Sequence, residues 1–158
     1  MSQSKQETIP SRPMASPEEG KLEDQLGFFL YGLSREIIRR YRPMLDQLGL
    51  TYTQYIAMQA LWERKELVIR DLCRILMLDY GTLSPVLNKL ESKGLVERQR
   101  KGIDGRIITI SATAPGVALR ERMSCSPEQI EDGIPLSPAE RKALLRLLCQ
   151  ALEREGPK

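Results

Sequence analysis

The stretch from Leu78 to Ser111, LDYGTLSPVLNKLESKGLVERQRKGIDGRIITIS, leaves its backbone few options. Asp79 is a short side-chain acceptor just ahead of a helical run, and Gly94 follows Lys93 where a helix ends in the left-handed conformation. Between them Leu83, Val86, Leu87 and Leu90 recur at three- and four-residue steps and form one apolar face. The period then changes. LVERQR and RIITIS have strand-like character, and the KGIDG between them carries the glycine and aspartate of a tight reversal. This predicts a helix that stops on a glycine and a hairpin that starts at once.

The segments around it follow the same logic. LVIRDLCRILML predicts a short extended piece at Leu67–Val68 and a helix over about Arg70–Leu76. Further upstream, Thr51 with Gln54 three residues on is a capping box, opening a helix over about Tyr52–Arg64 whose Trp62 is expected in the core. From Lys21 to about Leu48, Leu22, Leu26, Phe29, Leu30, Leu33, Ile37 and Ile38 recur with helical period, with a kink or break expected at Pro43. Downstream, TAPGVALRERM reads as a helix capped by Thr113, and SCSPEQIEDGIP as a polar loop. A last helix is opened by Ser137 and Glu140 with Pro138 at its first position; its stripe is Leu144, Leu145, Leu148, Ala151 and Leu152. Residues 1–20, rich in Ser, Pro and charge, read as a mobile arm.

Two helices joined by a tight turn and followed by a hairpin make a winged helix-turn-helix. In that arrangement the second helix enters the major groove of DNA and the hairpin tip lies beside it. The expected class is mainly α with a small β-hairpin wing (α+β). The expected organisation is a domain over 21–158 with a DNA-binding lobe at 51–111, flanked by helices at 21–48 and 113–155 whose wide apolar stripes call for a second copy of the chain.

Composition narrows the function. The chain has 158 residues and no histidine, which argues against catalytic triads, Cys–His nucleophiles and most zinc sites. No catalytic group, metal or cofactor is expected. Cys73, Cys125 and Cys149 are scattered and form no CxxC pair, as in reduced thiols of a cytoplasmic protein. No apolar run reaches membrane-spanning length and no signal peptide is visible. The formal charge of +3 permits nucleic acid without indicating it. Its distribution says more: from Ser84 to Arg106 six basic residues stand against three acidic ones, an excess equal to that of the whole chain.

The expected DNA contacts follow. On the helix Asp79–Lys93 the polar face carries Thr82, Ser84, Pro85, Asn88 and Lys89. Asparagine can read adenine, hydroxyls can meet bases or phosphates, and small groups allow close approach to thymine methyls. On the hairpin, Arg98 and Lys101 supply charge, Arg106 suits a narrow minor groove, and Asp104 orients a neighbouring arginine or forms the turn ahead of Gly105.

LTYTQYIAMQALWE, LDYGTLSPVLNKLESKGLVERQR and the DGR of the wing together resemble the MarR family of bacterial winged-helix regulators. LEDQLGFFLYGLSREIIRRYRPMLDQLGLTYTQY is similar to its organic-hydroperoxide-responsive, OhrR-like branch. The resemblance runs strongly from Leu22 to Ser111. It implies a homodimer built through the N-terminal and last two helices, a pseudo-palindromic operator, and a repressor. In that branch a reactive cysteine in the first helix is hydrogen-bonded by two tyrosines. Here the tyrosines match as Tyr31 and Tyr41, and Gly27 stands at the cysteine position. A glycine there leaves a side-chain-sized space near Gly27, Tyr31 and Tyr41, with three readings open: water or a small-molecule effector bridges the tyrosines, the pocket is vestigial, or Gly27 is a replacement that locks the DNA-binding form.

Two other readings compete with a DNA-binding regulator. One is a winged-helix module that binds protein and never DNA; the basic excess and DGR argue against it. The other is a thiol-based redox sensor acting through Cys125, which sits in a polar loop near Arg120 and Arg122.

Overall fold

The computed structural model describes residues 21–101 and 107–153. The chain divides into two compact units, with the boundary between Arg35 and Glu36. A single 3-10 turn at Leu22–Asp24 precedes α1 (Leu26–Leu48). Then come α2 (Tyr52–Arg64), β1 (Glu66–Val68), α3 (Ile69–Leu76), α4 (Tyr80–Ser92), β2 (Val96–Lys101), β3 (Ile107–Ala112), α5 (Ala114–Glu121), α6 (Pro127–Glu131) and α7 (Pro138–Glu153).

Local chemistry sets most of these limits. Thr51 and Gln54 form the capping box of α2, Thr113 caps α5 through the Gly116 amide, and Ser137 and Glu140 exchange bonds at the start of α7. Gly49 and Gly94 both adopt positive φ, 65° and 68°, just past α1 and α4. At each, the following amide reaches back into the helix: Leu50 N donates to Leu45 O and Leu95 N to Leu90 O, both at 3.0 Å.

Three findings differ from the sequence reading. Pro43 does not end α1, which runs on to Leu48. It takes away one helical N–H at an exposed position of the helix. The hairpin is part of a three-stranded antiparallel sheet, order β1–β3–β2, because Leu67 pairs with Ile110 across β1 and β3. The expected polar loop contains α6, opened by a capping box between Ser126 and Gln129.

The core lies within the unit that begins at Glu36. Met44, Leu45, Tyr55, Met58, Leu61, Leu72, Leu83, Leu87, Leu90 and Ile110 are buried in it. Tyr41, Tyr52 and Tyr55 pack ring on ring, with centroids 5.3–6.3 Å apart, and Tyr55 continues to Trp62 at 6.4 Å. Trp62 is half-buried and donates its indole N–H to Gly116 O at 2.8 Å. This ties α2 to the first turn of α5. A Cβ at Gly116 would run into the Leu95 carbonyl and come within 3.2 Å of Met58 Cε, so the α4–β2 turn can dock here only against a glycine.

Two outcomes are expected. Gly116→Ala should lower stability by about 2 kcal/mol or more through backbone overpacking, read as a lower urea midpoint at unchanged slope. Gly27→Ala, where a Cβ meets nothing within 4 Å, should leave the midpoint unchanged or slightly raised. Alkali is the second case. Burial, then the Glu131 carboxylate, pushes Tyr41 and Tyr52 up, and burial with the neighbouring Tyr52 pushes Tyr55 to about 12. These phenols stay protonated in the fold while unfolded tyrosine ionises near 10. Their stabilisation is therefore complete below pH ~10 and is lost as pH rises toward 12. Unfolding followed between pH 9 and 12 should show that fall, and Tyr55→Phe should make it shallower.

Candidate nucleic-acid interface

The orientation of α4 is decided from inside. Leu83, Leu87 and Leu90 have no exposed surface, and Val86 is half-buried beside them. That leaves Gly81, Thr82, Pro85, Asn88, Lys89 and Ser92 facing outward, with Ser84 half-buried at the edge. The N-terminus is held by Asp79, whose carboxylate accepts from Thr82 N at 2.8 Å and Thr82 Oγ1 at 2.7 Å. These bonds, the side-chain one first, keep the Asp79 carboxyl below the ordinary carboxylate range. The Thr82 hydroxyl has thereby spent its proton on the cap and offers only an acceptor outward.

The turn between α3 and α4 is built on a methionine. Met77 sits at φ 54° and ψ 39°, with Leu78 N donating to Cys73 O at 3.0 Å. Met77 and Tyr80 are 69% and 58% exposed, so an apolar and an aromatic side chain stand at the leading end of α4. The sequence reading passed over both. Tyr80 continues the spacing of Leu83, Leu87 and Leu90 one turn toward the N-terminus, so periodicity alone would have placed it with the buried stripe.

The basic residues divide sharply by what they touch. Arg98 on β2 donates to Asn88 Oδ1 at 2.7 Å, reaches Ser84 O at 3.5 Å and pairs with Glu91 at 3.2 Å. Lys101 pairs with Glu66 of β1 at 2.7 Å, and Lys93 donates to the Gly49 carbonyl and to Gln54 Oε1. Lys89 and Arg100 are exposed, and their side chains carry no ion pair or hydrogen bond among the described residues. Three of the six local basic residues, Lys93, Arg98 and Lys101, are therefore engaged within the protein, and Lys89 is the cation on α4 whose side chain remains available. Asp104 and Arg106 lie outside the described residues.

The residues of the expected effector space stand as follows. Gly27 is exposed in the first turn of α1, where a glycine costs less than in a helix interior. Tyr31 is exposed, with the Arg35 guanidinium 5.6 Å from its ring centre. Tyr41 belongs to the second unit, is buried, and donates its hydroxyl to Glu131 Oε1 at 3.4 Å. Cys125 is half-buried against the core, 3.9 Å from Ser124 Oγ, and Cys149 is exposed on α7. Burial, then the nearby Asp79 charge, raises the Cys73 thiol, which disfavours the reactive thiolate there. Among the described residues no helix is long and apolar enough to cross a membrane.

Known proteins share this fold. The family model of the transcriptional regulators SarA/Rot matches residues 39–123. An organic hydroperoxide resistance transcriptional regulator of Bacillus subtilis (strain 168) is 41% identical over 133 residues, covering 84% of this chain and 90% of that protein. A probable transcriptional regulator from Pseudomonas aeruginosa superposes with a TM-score of 0.73 at 28% identity, over 83% of this chain and 99% of that one. Overoxidized AbfR bound to DNA, a protein of Staphylococcus epidermidis, gives 0.68 at 32% identity over 84% and 93%. The chain belongs to the MarR/SarA family of winged-helix, DNA-binding transcriptional regulators.

Proposed function

We propose that the protein binds a pseudo-palindromic operator as a homodimer and represses transcription from it. The observation that carries the reading is the outward face of α4. A stripe with no exposed surface turns Thr82, Pro85, Asn88 and Lys89 to the solvent together, and a β-strand braces the helix from the side. A helix so presented fits the major groove, with hydroxyl, amide and ammonium groups at its surface. Ser84, at the edge of this face, and Lys101 flank the groove. Arg106, with Asp104 as its orienting neighbour, is assigned the adjacent minor groove on its place in the sequence.

The dimer rests on uncovered apolar surface. No residue of α7 is buried, and Leu145, Leu147 and Leu152 are all more than half exposed. Within the first unit Leu22, Leu26 and Phe29 are likewise exposed. A second copy would cover these stripes and set two α4 helices about 34 Å apart, one turn of duplex.

The effector reading follows from Gly27. Sensing at a first-helix cysteine needs a thiolate that can be oxidised to sulfenic acid, and glycine offers no atom for it. We infer that this chain does not respond to organic hydroperoxide at that position, and that a small molecule bound near Gly27 and Tyr31 takes the thiol's place.

Selection of bound duplex from a random pool tests the main reading, and should return a two-fold symmetric site. On that site Lys89→Ala should weaken binding across sequences and lower the salt slope of log K by about one. Parent-like binding at all salt concentrations would remove α4 from the interface. Organic hydroperoxide at modest excess should leave the parent on its operator, whereas Gly27→Cys should become peroxide-sensitive. Release of the parent by peroxide would shift attention to Cys125.

A further inference from the structure

We propose that Arg98 is a positioning residue: it locks the Asn88 side-chain amide in one orientation, so that α4 reads a single kind of base there, and it does not itself bind phosphate. The inference rests on α4 being the DNA-reading helix and says how one of its side chains is made specific.

Ser84, Asn88 and Glu91 lie at steps of four and three along α4, and so on one side of it. Arg98 faces all three from β2. Its Nη2 donates to Asn88 Oδ1 at 2.7 Å and to the Ser84 carbonyl at 3.5 Å, and its Nη1 pairs with Glu91 Oε2 at 3.2 Å. Its Nε is buried without a hydrogen-bond partner, so the guanidinium lies against the helix, and its side chain is only 25% exposed. To reach a phosphate it would have to break a charge-assisted bond and an ion pair together. The Lys89 side chain, exposed and unpartnered among the described residues, is under no such constraint.

The orientation of Asn88 is settled by chemistry. A guanidinium has only donors, so the amide atom facing it is the oxygen; a flipped amide would set N–H against N–H. A free asparagine presents its donor and acceptor to a base edge in either order, matching more than one base. One whose oxygen is held by Arg98 presents a single order. Base discrimination at Asn88 then depends on a residue of the wing strand that need not touch the DNA.

The test uses the full chain on its selected site and on every single-base variant of that site, at several salt concentrations. Arg98→Lys is the decisive variant. Lysine serves a phosphate as a point charge, but one ammonium cannot span Ser84, Asn88 and Glu91. Discrimination at one base pair of each half-site is expected to fall about tenfold, other pairs and the salt slope being unchanged. Asn88→Ala should give the same loss at the same pair, and the double variant no more than either alone. Unchanged discrimination in Arg98→Lys would overturn the proposal. So would an Arg98→Ala variant that weakens all sequences equally and lowers the salt slope by about one. The lock is also read without DNA. The Asn88 side-chain amide resonances should move in Arg98→Lys; if they stay in place, the lock is absent. If they move but the parent selects no DNA, it is the DNA-binding reading that fails.

Discussion

Three leucines without exposed surface decide how this protein meets its surroundings. Leu83, Leu87 and Leu90 fix the rotation of α4 about its own axis, and a helix turned by one residue would bury a different set. Each such side chain contributes roughly 1.5–3 kcal/mol when removed from water, far more than any exposed polar contact on the opposite face can oppose. The outward row of Thr82, Pro85, Asn88 and Lys89 is thus a consequence of core packing. The ends of the helix are settled separately, by the Asp79 carboxylate at one and the positive-φ Gly94 at the other.

The hairpin depends on the same anchoring. Past Gly94 the chain enters β2, and the return strand delivers Thr113, whose amide donates to Leu95 O at 3.1 Å. Gly116 follows, close against the Leu95 carbonyl and bonded through its own carbonyl to Trp62. The wing is therefore clamped at its base to α4 and α2. Arg98 makes a second connection halfway along β2, so recognition helix and wing strand share polar contacts as well as backbone.

Charge shows where counting residues misleads. The basic excess between Ser84 and Arg106 pointed to a polyanion, and the family supports that reading. Yet Arg98, Lys93 and Lys101 spend their donors on Asn88 and Glu91, on Gly49 and Gln54, and on Glu66. Carboxylates offset the charge of Arg98 and Lys101, while Lys93, bonded to neutral acceptors, keeps its charge in a fixed place. A partly exposed ion pair contributes little to stability by itself, so their weight lies in fixing geometry.

What the sequence determined alone was local. Caps, glycine stops and the change from helical to alternating period placed α2, α4, α5 and α7 and the two strands of the wing, because those signals act within a few residues of the backbone they govern. A capping box of the same kind at Ser126 and Gln129 marked α6 and was passed over inside a polar stretch. The tertiary structure decided everything that joins distant residues. β1 finds its partner across a chain separation no three-residue strand can advertise. Arg98 meets Asn88 ten residues away, Lys101 meets Glu66 at 35, and Lys93 meets Gly49 at 44. A side chain's charge is written in the sequence; whether that charge faces solvent or is held by a neighbour depends on which elements pack together, and only the folded chain settles that.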